Sequence, residues 1–282
     1  MSSPNRIVVC ADDYALTPGV SRGIRELIAA RRISATSVMT VSPHWEREAA
    51  ALRAVAGDCD IGLHVTLTDH VPLGRMSQLA PEGRLPPMRS LYRSGIARRL
   101  PAAEIEREIE LQLDAFVSVY GAPPAHIDGH HHVHQLPGVR AIVVRIAQRV
   151  GGGRTWVRSC NEHLGLMLRR GVATGKSFVI GSLGASVERL ARQHGVPTNS
   201  GFSGVYDFEK ETRTFGTLCA RFLMRQRDNG LMMCHPGHSD TELAQIDSLT
   251  DRREVELAYF KSDAWPEALR RHNLEIGPLR RA

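Results

Sequence analysis

Aromatic residues make up only 5% of this 282-residue chain, and it contains no run of five or more basic residues. Stacking platforms for bases need the first, and phosphate-tracking stripes usually show the second. A nucleic-acid partner is therefore not expected. The formal charge of +6 comes from scattered arginines. Short pairs such as Arg98-Arg99, Arg169-Arg170 and Arg270-Arg271 read as solvated helix faces. The five cysteines, Cys10, Cys59, Cys160, Cys219 and Cys234, are odd in number, dispersed, and never spaced C-x-x-C. That pattern speaks against a disulfide framework and for reduced thiols in a cytoplasmic compartment. No apolar run is long enough to span a bilayer, and the N-terminus reaches a strand by Ile7 without a secretory pattern. Neither G-x-G-x-x-G nor G-x-x-x-x-G-K-[ST] occurs, so neither usual nucleotide fingerprint is available.

Histidine, by contrast, is concentrated. Five of the 13 histidines fall within His126-Ile127-Asp128-Gly129-His130-His131-His132-Val133-His134. Continued strand alternation puts His126, Asp128, His130, His132 and His134 on one face. Neutral imidazole is the commonest ligand of transition metals, so the stretch reads as part of a metal site rather than a solvated loop. Other chemistry-bearing residues also fall at the ends of apolar runs. Arg6 to Ala11 reads as a buried parallel strand and ends in Asp12-Asp13-Tyr14. His64 lies in Asp60 to Thr68, His235 just before the Pro236-Gly237 break, and Arg158 at the exit of Thr155 to Arg158. By the residues alone, Arg158 binds substrate, balances the acids, or is merely exposed.

Between these runs lie helical patterns. Apolar spacing predicts helices over 20–30, 45–56, 104–120, 139–150, 212–228 and 250–258. The segment 176–193 reads as one or two helices interrupted at Gly181 and Gly184, and 260–271 as a helix broken at Pro266. Residues 69–101 show no clear period and read as a substrate-binding or lid insertion. Strand and helix alternate without a linker. The expected fold is one α/β domain over 1–282, a closed or nearly closed parallel barrel, with an open doubly wound sheet as the alternative.

The parts suit amide hydrolysis. One Asp and two His around open positions form a site for a divalent ion such as Zn²⁺, Mg²⁺, Mn²⁺ or Fe²⁺. A neighbouring carboxylate can take the proton of water, and a His opposite can serve the leaving amine. A non-haem iron oxygenase uses the same ligands but has no use for the acid–base pair. A metal-binding sensor or storage protein needs no convergence of strand ends.

The chain resembles a known family at this point. Ala11-Asp12-Asp13-Tyr14, Gly62-Leu63-His64 through Thr68, the histidine stretch, and Met233-Cys234-His235-Pro236 look like the YdjC family of carbohydrate deacetylases, which includes chitooligosaccharide and hopanoid-associated deacetylases. The resemblance implies a distorted (β/α) barrel related to polysaccharide deacetylases, and removal of acetyl from an N-acetylated carbohydrate with one divalent ion, Mg²⁺ or Zn²⁺ by preference. It implies Asp13, His64 and His130 as metal ligands, with His132 in reserve. It implies Asp12 as base and a protonated His235 as acid. A backbone N–H of the 68–72 turn would serve the oxyanion. Asp128, His132, His134, Arg158 and Tyr14 are expected around them, as supports or substrate contacts. Tyr14 stands where Phe is usual, and Gly237 to Asp240 also departs from the common pattern; both bear on the choice of sugar. A homodimer is expected for an enzyme of this size.

Overall fold

The computed structural model describes residues 3–208, 211–247 and 250–280. The chain runs β1 (Asn5–Tyr14), α1 (Pro18–Ala29), β2 (Ala35–Val38), α2 (Trp45–Val55), β3 (Asp60–Val65), α3 (Met88–Ile96), α4 (Ala102–Tyr120) and β4 (His126–Gly129). A 3-10 turn (His130–Gln135) leads on to α5 (Arg140–Val150), β5 (Trp156–Val157), α6 (Leu164–Arg170), α7 (Thr174–Gln193) and β6 (Phe202–Ser203). It ends with α8 (Phe215–Phe222), β7 (Gly230–Cys234), α9 (Leu243–Ile246), α10 (Thr250–Lys261), α11 (Ala264–Arg271) and β8 (Leu274–Ile276).

All the strand pairs are parallel, in the order β5-β4-β3-β2-β1-β7-β6, with β8 against the start of β1. The sheet curls until its edges approach. Val157 on one edge donates to the Pro197 carbonyl at 2.9 Å, and the same segment continues into β6 on the other edge. This is a distorted α/β barrel rather than an open doubly wound sheet.

Period-two alternation sorts the strands into two cores. Ile7, Val9 and Ala11 of β1 pack outward in the larger core under the helices. Val8 and Cys10 face inward with Ala35, Trp156, Phe202, Leu231 and Met233. Burial on both faces is why β1 reads as a continuous apolar run. Gly62 belongs to the inward set because a Cβ there would lie 2.3 Å from the His126 ring.

Several helices follow their local signals. Thr17 accepts from the Val20 N–H and Pro18 opens α1. Along α4, Ile105, Ile109, Leu113 and Phe116 form a buried stripe, and Gly121 stops the helix at φ 83. Truncating Ile109 to Ala would cost about 2–5 kcal/mol.

The structure corrects other expectations. The histidine strand stops at Gly129, and His131 and His132 take left-handed φ values of 53 and 58. A Cβ on Gly129 would lie 3.0–3.1 Å from Val65, Val133 and His134, so only glycine lets the chain fold back there without crowding. Alternation therefore does not reach His130, His132 or His134. The helix expected over 212–228 is shorter, Phe215–Phe222, with Thr214 as its cap. α7 runs unbroken through its glycines, and Gly184 is there because the helix passes too close to the Cys160–Asn161 backbone for a side chain. The break expected at Pro266 falls instead at residues 262–263, between α10 and α11, and Pro266 sits in the first turn of α11. The tail adds an unexpected eighth strand. No helix among the described residues is long and apolar enough to cross a membrane, and the five cysteines are unpaired.

Candidate metal centre and its acid–base groups

In a parallel barrel the strand ends share one mouth. Strand register sets the inward residues there. Ser37 pairs with Gly62, His64 with Asp128, and His126 with Trp156. The same alternation carries Asp12, Ser37, His64, Asp128, Arg158 and His235 inward near the strand ends.

Two adjacent aspartates on a regular strand would point to opposite sides. Here the β1–β2 register shifts between Ala11 and Tyr14, and Asp13 has φ 68. This bulge brings both carboxylates to one mouth, at the cost of a left-handed aspartate. Asp13 Oδ1 lies 3.0 Å from His130 Nδ1 and 3.3 Å from His64 Nε2. One ligand atom from each of Asp13, His64 and His130 lies within 4.8 Å of the others. One carboxylate oxygen and two imidazole nitrogens suit a borderline divalent ion.

The supports are buried. His64 Nδ1 sits 2.6 Å from Asp128 Oδ1, which turns Nε2 toward Asp13. Asp128 Oδ2 accepts from Ser37 Oγ at 2.5 Å and pairs with Arg158 at 2.5 Å. Arg158 also grips both oxygens of Asp12, at 2.5 and 2.6 Å. With no exposed surface, Arg158 balances the acids and cannot touch substrate. From α10, Arg253 donates to Asp13 Oδ2 at 2.6 Å and to Asp247 at 2.7 Å.

These contacts set the protonation states. Burial opposes charge on Asp13 and Asp128, but Arg253 with His130, and Arg158 with His64, hold them well below the carboxylate range. Burial also opposes the imidazolium of His64, yet Asp128 and Asp13 raise it to about 10. Asp12, Asp13 and Asp128 face only Arg158 and Arg253 as fixed cations among the described residues. Arg253 is shared with Asp247, so at least one further positive charge is called for, and a proton on His64 or a divalent cation supplies it.

The remaining expected residues are placed as follows. His132 stands outside the trio, with Nδ1 3.6 Å from Cys160 Sγ and its ring edge-on to Phe202. His134 Nε2 donates to the Arg158 carbonyl at 3.1 Å. Tyr14 is turned away from the mouth. Its hydroxyl donates to the Glu48 carbonyl at 2.9 Å and accepts from Arg25 at 2.8 Å, so it is no substrate contact. His235 has a buried Nδ1 with no partner among the described residues, and its ring meets Phe208 edge-on. Burial lowers its pKa to about 4, only partly opposed by Asp13 and Asp12. The ring is therefore neutral at pH 7, contrary to the expected imidazolium.

Sequence reasoning missed three contributors and gave a fourth, His126, a face but no role. Arg253 lies in the charged run Asp251 to Glu254, which reads as a solvated helix face. Glu256 on the same helix accepts from the His235 N–H at 2.7 Å. His126 stacks on Trp156, with centroids 4.3 Å apart, beneath Asp128. His70, from the aperiodic segment, places its ring 5.7 Å from that of His130. Only His126 carried a visible signal, its place in the histidine stretch.

A chitooligosaccharide deacetylase of Serratia marcescens is 32% identical over 240 residues, covering 85% of this chain and 84% of the relative. A carbohydrate deacetylase of Geobacillus stearothermophilus is 30% identical over 256 residues, covering 90% and 89%. An Enterococcus faecalis V583 crystal structure, provisionally assigned to cellobiose-phosphate cleavage, superposes with a TM-score of 0.74 at 21% identity over 97% of both chains, and so shares the fold. The profile of the YdjC-like protein family matches residues 6–271, and the chain belongs to that family.

Proposed function

We propose that this chain is a metal-dependent hydrolase that removes the N-acetyl group from an N-acetylated sugar or sugar conjugate. The observation that carries this reading is the meeting of Asp13, His64 and His130 at one mouth, with a second carboxylate, Asp12, beside them. The names of the Serratia and Geobacillus relatives supply the carbohydrate. Mg²⁺ or Zn²⁺ held by Asp13, His64 and His130 would polarise the acetamide carbonyl and make water acidic enough to attack it.

Asp12 accepts the proton of that water. Arg158 occupies one lone pair on each Asp12 oxygen, which fixes the carboxylate plane and leaves the other lone pairs available. His235 starts neutral, so the proton that Asp12 takes from water must be passed to it before the C–N bond breaks. It then hands that proton to the departing nitrogen. In the 68–72 turn, the Asp69 N–H is bonded to the Pro86 carbonyl, so the His70 or Val71 N–H would meet the oxyanion. An iron oxygenase would leave Asp12 and His235 without a task.

The test is acetate release from N-acetylated mono-, di- and oligosaccharides and glycolipid head groups, by protein stripped of metal and reloaded with single ions. Metal-dependent release without oxygen is expected. No release on any substrate by folded, metal-loaded protein would refute the reading. Asp12→Asn should lower kcat by about 10²–10⁴-fold, the share of a general base, while metal content stays the same. Near-full activity would remove Asp12 from the base role.

A further inference from the structure

Past the 3-10 turn the chain leads through Pro137 and Gly138 into a second cleft, away from the metal centre. It opens between the start of α4, the start of α5 and the later turns of α7, and has a volume of about 500 Å³. Arg98, Arg140 and Arg189 line it, with Leu100, Pro137 and Leu190 as an apolar wall.

The three arginines are uncompensated. On the same helices, Arg145 pairs with Glu106, Arg149 with Glu110 and Arg192 with Glu188. Those pairs use up nearby acids. Among the described residues, Arg98, Arg140 and Arg189 take part in no ion pair, and Arg140 reaches only the Gln135 carbonyl, at 3.5 Å. Burial, then repulsion from Arg189 and Arg98, pulls the Arg140 guanidinium below its usual pKa. Arg98 and Arg189 are exposed, so water screens part of this repulsion, and an anion would answer the rest.

A second feature has the same sign. Ala102, the first residue of the 19-residue α4, lines the cleft, and no side chain caps that helix. The first amides of that helix favour an anion, since the acid of the same turn, Glu104, is committed to Ser77, Gln78 and Leu79. Another basic cleft, with Arg169, Arg225 and Arg227, differs here. Arg169 lies in the last turn of α6, where terminal carbonyls already answer its charge.

We propose that the cleft binds a phosphate monoester of a small organic molecule. The phosphoryl group would lie among Arg98, Arg140, Arg189 and the start of α4, and the organic part along Leu100, Pro137 and Leu190. A phosphoryl dianion offers three terminal oxygens to three guanidiniums. A carboxylate offers two oxygens and half the charge, and leaves one arginine unanswered. The proposal does not depend on the deacetylase reading, because its test is binding.

The experiment is titration calorimetry of the full chain with inorganic phosphate, glucose 6-phosphate and glucose at constant ionic strength. Both phosphates should bind one to one, and glucose should not. Tighter binding of glucose 6-phosphate would mean that the apolar wall takes part; equal affinity would mean that the phosphoryl group alone is held. Arg140→Gln and Arg189→Gln should each weaken Kd about tenfold, the worth of one charged hydrogen bond. Arg99→Gln, adjacent but outside the cleft lining, should leave Kd unchanged. Arg189 is exposed, so its variant keeps the fold, which circular dichroism checks. No heat beyond a chloride-matched control, or equal losses in Arg99→Gln and Arg189→Gln, would overturn the assignment.

Discussion

At the scale of single residues, the site is set by which buried groups are paired. Asp12, Asp13 and Asp128 are each held by a guanidinium, so their charges persist in the interior. His235 has no such partner, and burial keeps it neutral. Its pKa is lowered from 6.5 to about 4 on folding, so between those values the unfolded chain binds the proton that the folded chain refuses. This contribution to stability is present above about pH 6.5 and is lost as pH falls toward 4. It amounts to roughly 3 kcal/mol at most. Urea titrations should show wild type losing more stability than His235→Asn between pH 7 and pH 4; parallel curves would mean the ring is freely protonated. Kinetics probe the same state. If a resting imidazolium were required, kcat/KM would fall tenfold per pH unit from pH 6 to 8. With His235 neutral at the start, no such fall is expected.

At the scale of elements, the aperiodic segment 69–101 is held from α4. Glu108 accepts from the Leu73 and Gly74 N–H groups at 3.0 and 2.9 Å, and from Gln112 at 2.8 Å. Glu104 accepts from Ser77, Gln78 and Leu79. Within the segment, α3 sends Tyr92 to the His131 carbonyl at 2.7 Å, which ties it to the turn carrying His130. Glu108→Ala should therefore loosen the segment. Trypsin should cut faster at Arg75 and Arg84, and KM should rise more than kcat falls. Unchanged cleavage would show that the segment holds itself. The sequence made much of this level legible. Apolar runs marked β1, β3 and β7, and a 3.6-residue period marked α4. What stayed hidden was tertiary in origin. Glu104 and Glu108 read as ordinary acids near a helix start, though their partners are backbone amides some thirty residues away. The 3-10 turn could not be read because left-handed His131 and His132 carry no local signal. The bulge at Asp13 could not be read because register depends on the neighbouring strand.

At the scale of the molecule, the barrel mouth gathers three carboxylates against two guanidiniums, one of them shared with Asp247, and the raised pKa of His64 makes metal binding a proton exchange. Without metal, His64 keeps its proton up to about pH 10, held by Asp128 and Asp13. A ligand nitrogen must give up its proton before it binds an ion, so metal uptake at pH 7–8 should release about one proton from His64. Apparent affinity should then rise close to tenfold per pH unit below 10. Titrating chelator-stripped protein with Zn²⁺ in two buffers of different ionisation enthalpy measures this directly. Heats that differ by about one buffer ionisation enthalpy per ion support the exchange. Heats independent of buffer would mean that His64 is neutral before metal arrives. The Asp128–His64 pair would then carry the imbalance, and Asp128→Asn, which removes the cause of the raised pKa, should no longer change the proton count. The same variant leaves Arg158 with only Asp12 as its carboxylate partner, so its stability should be followed alongside. A loss of folding stability with an unchanged proton count would separate the structural role of Asp128 from its control of the histidine.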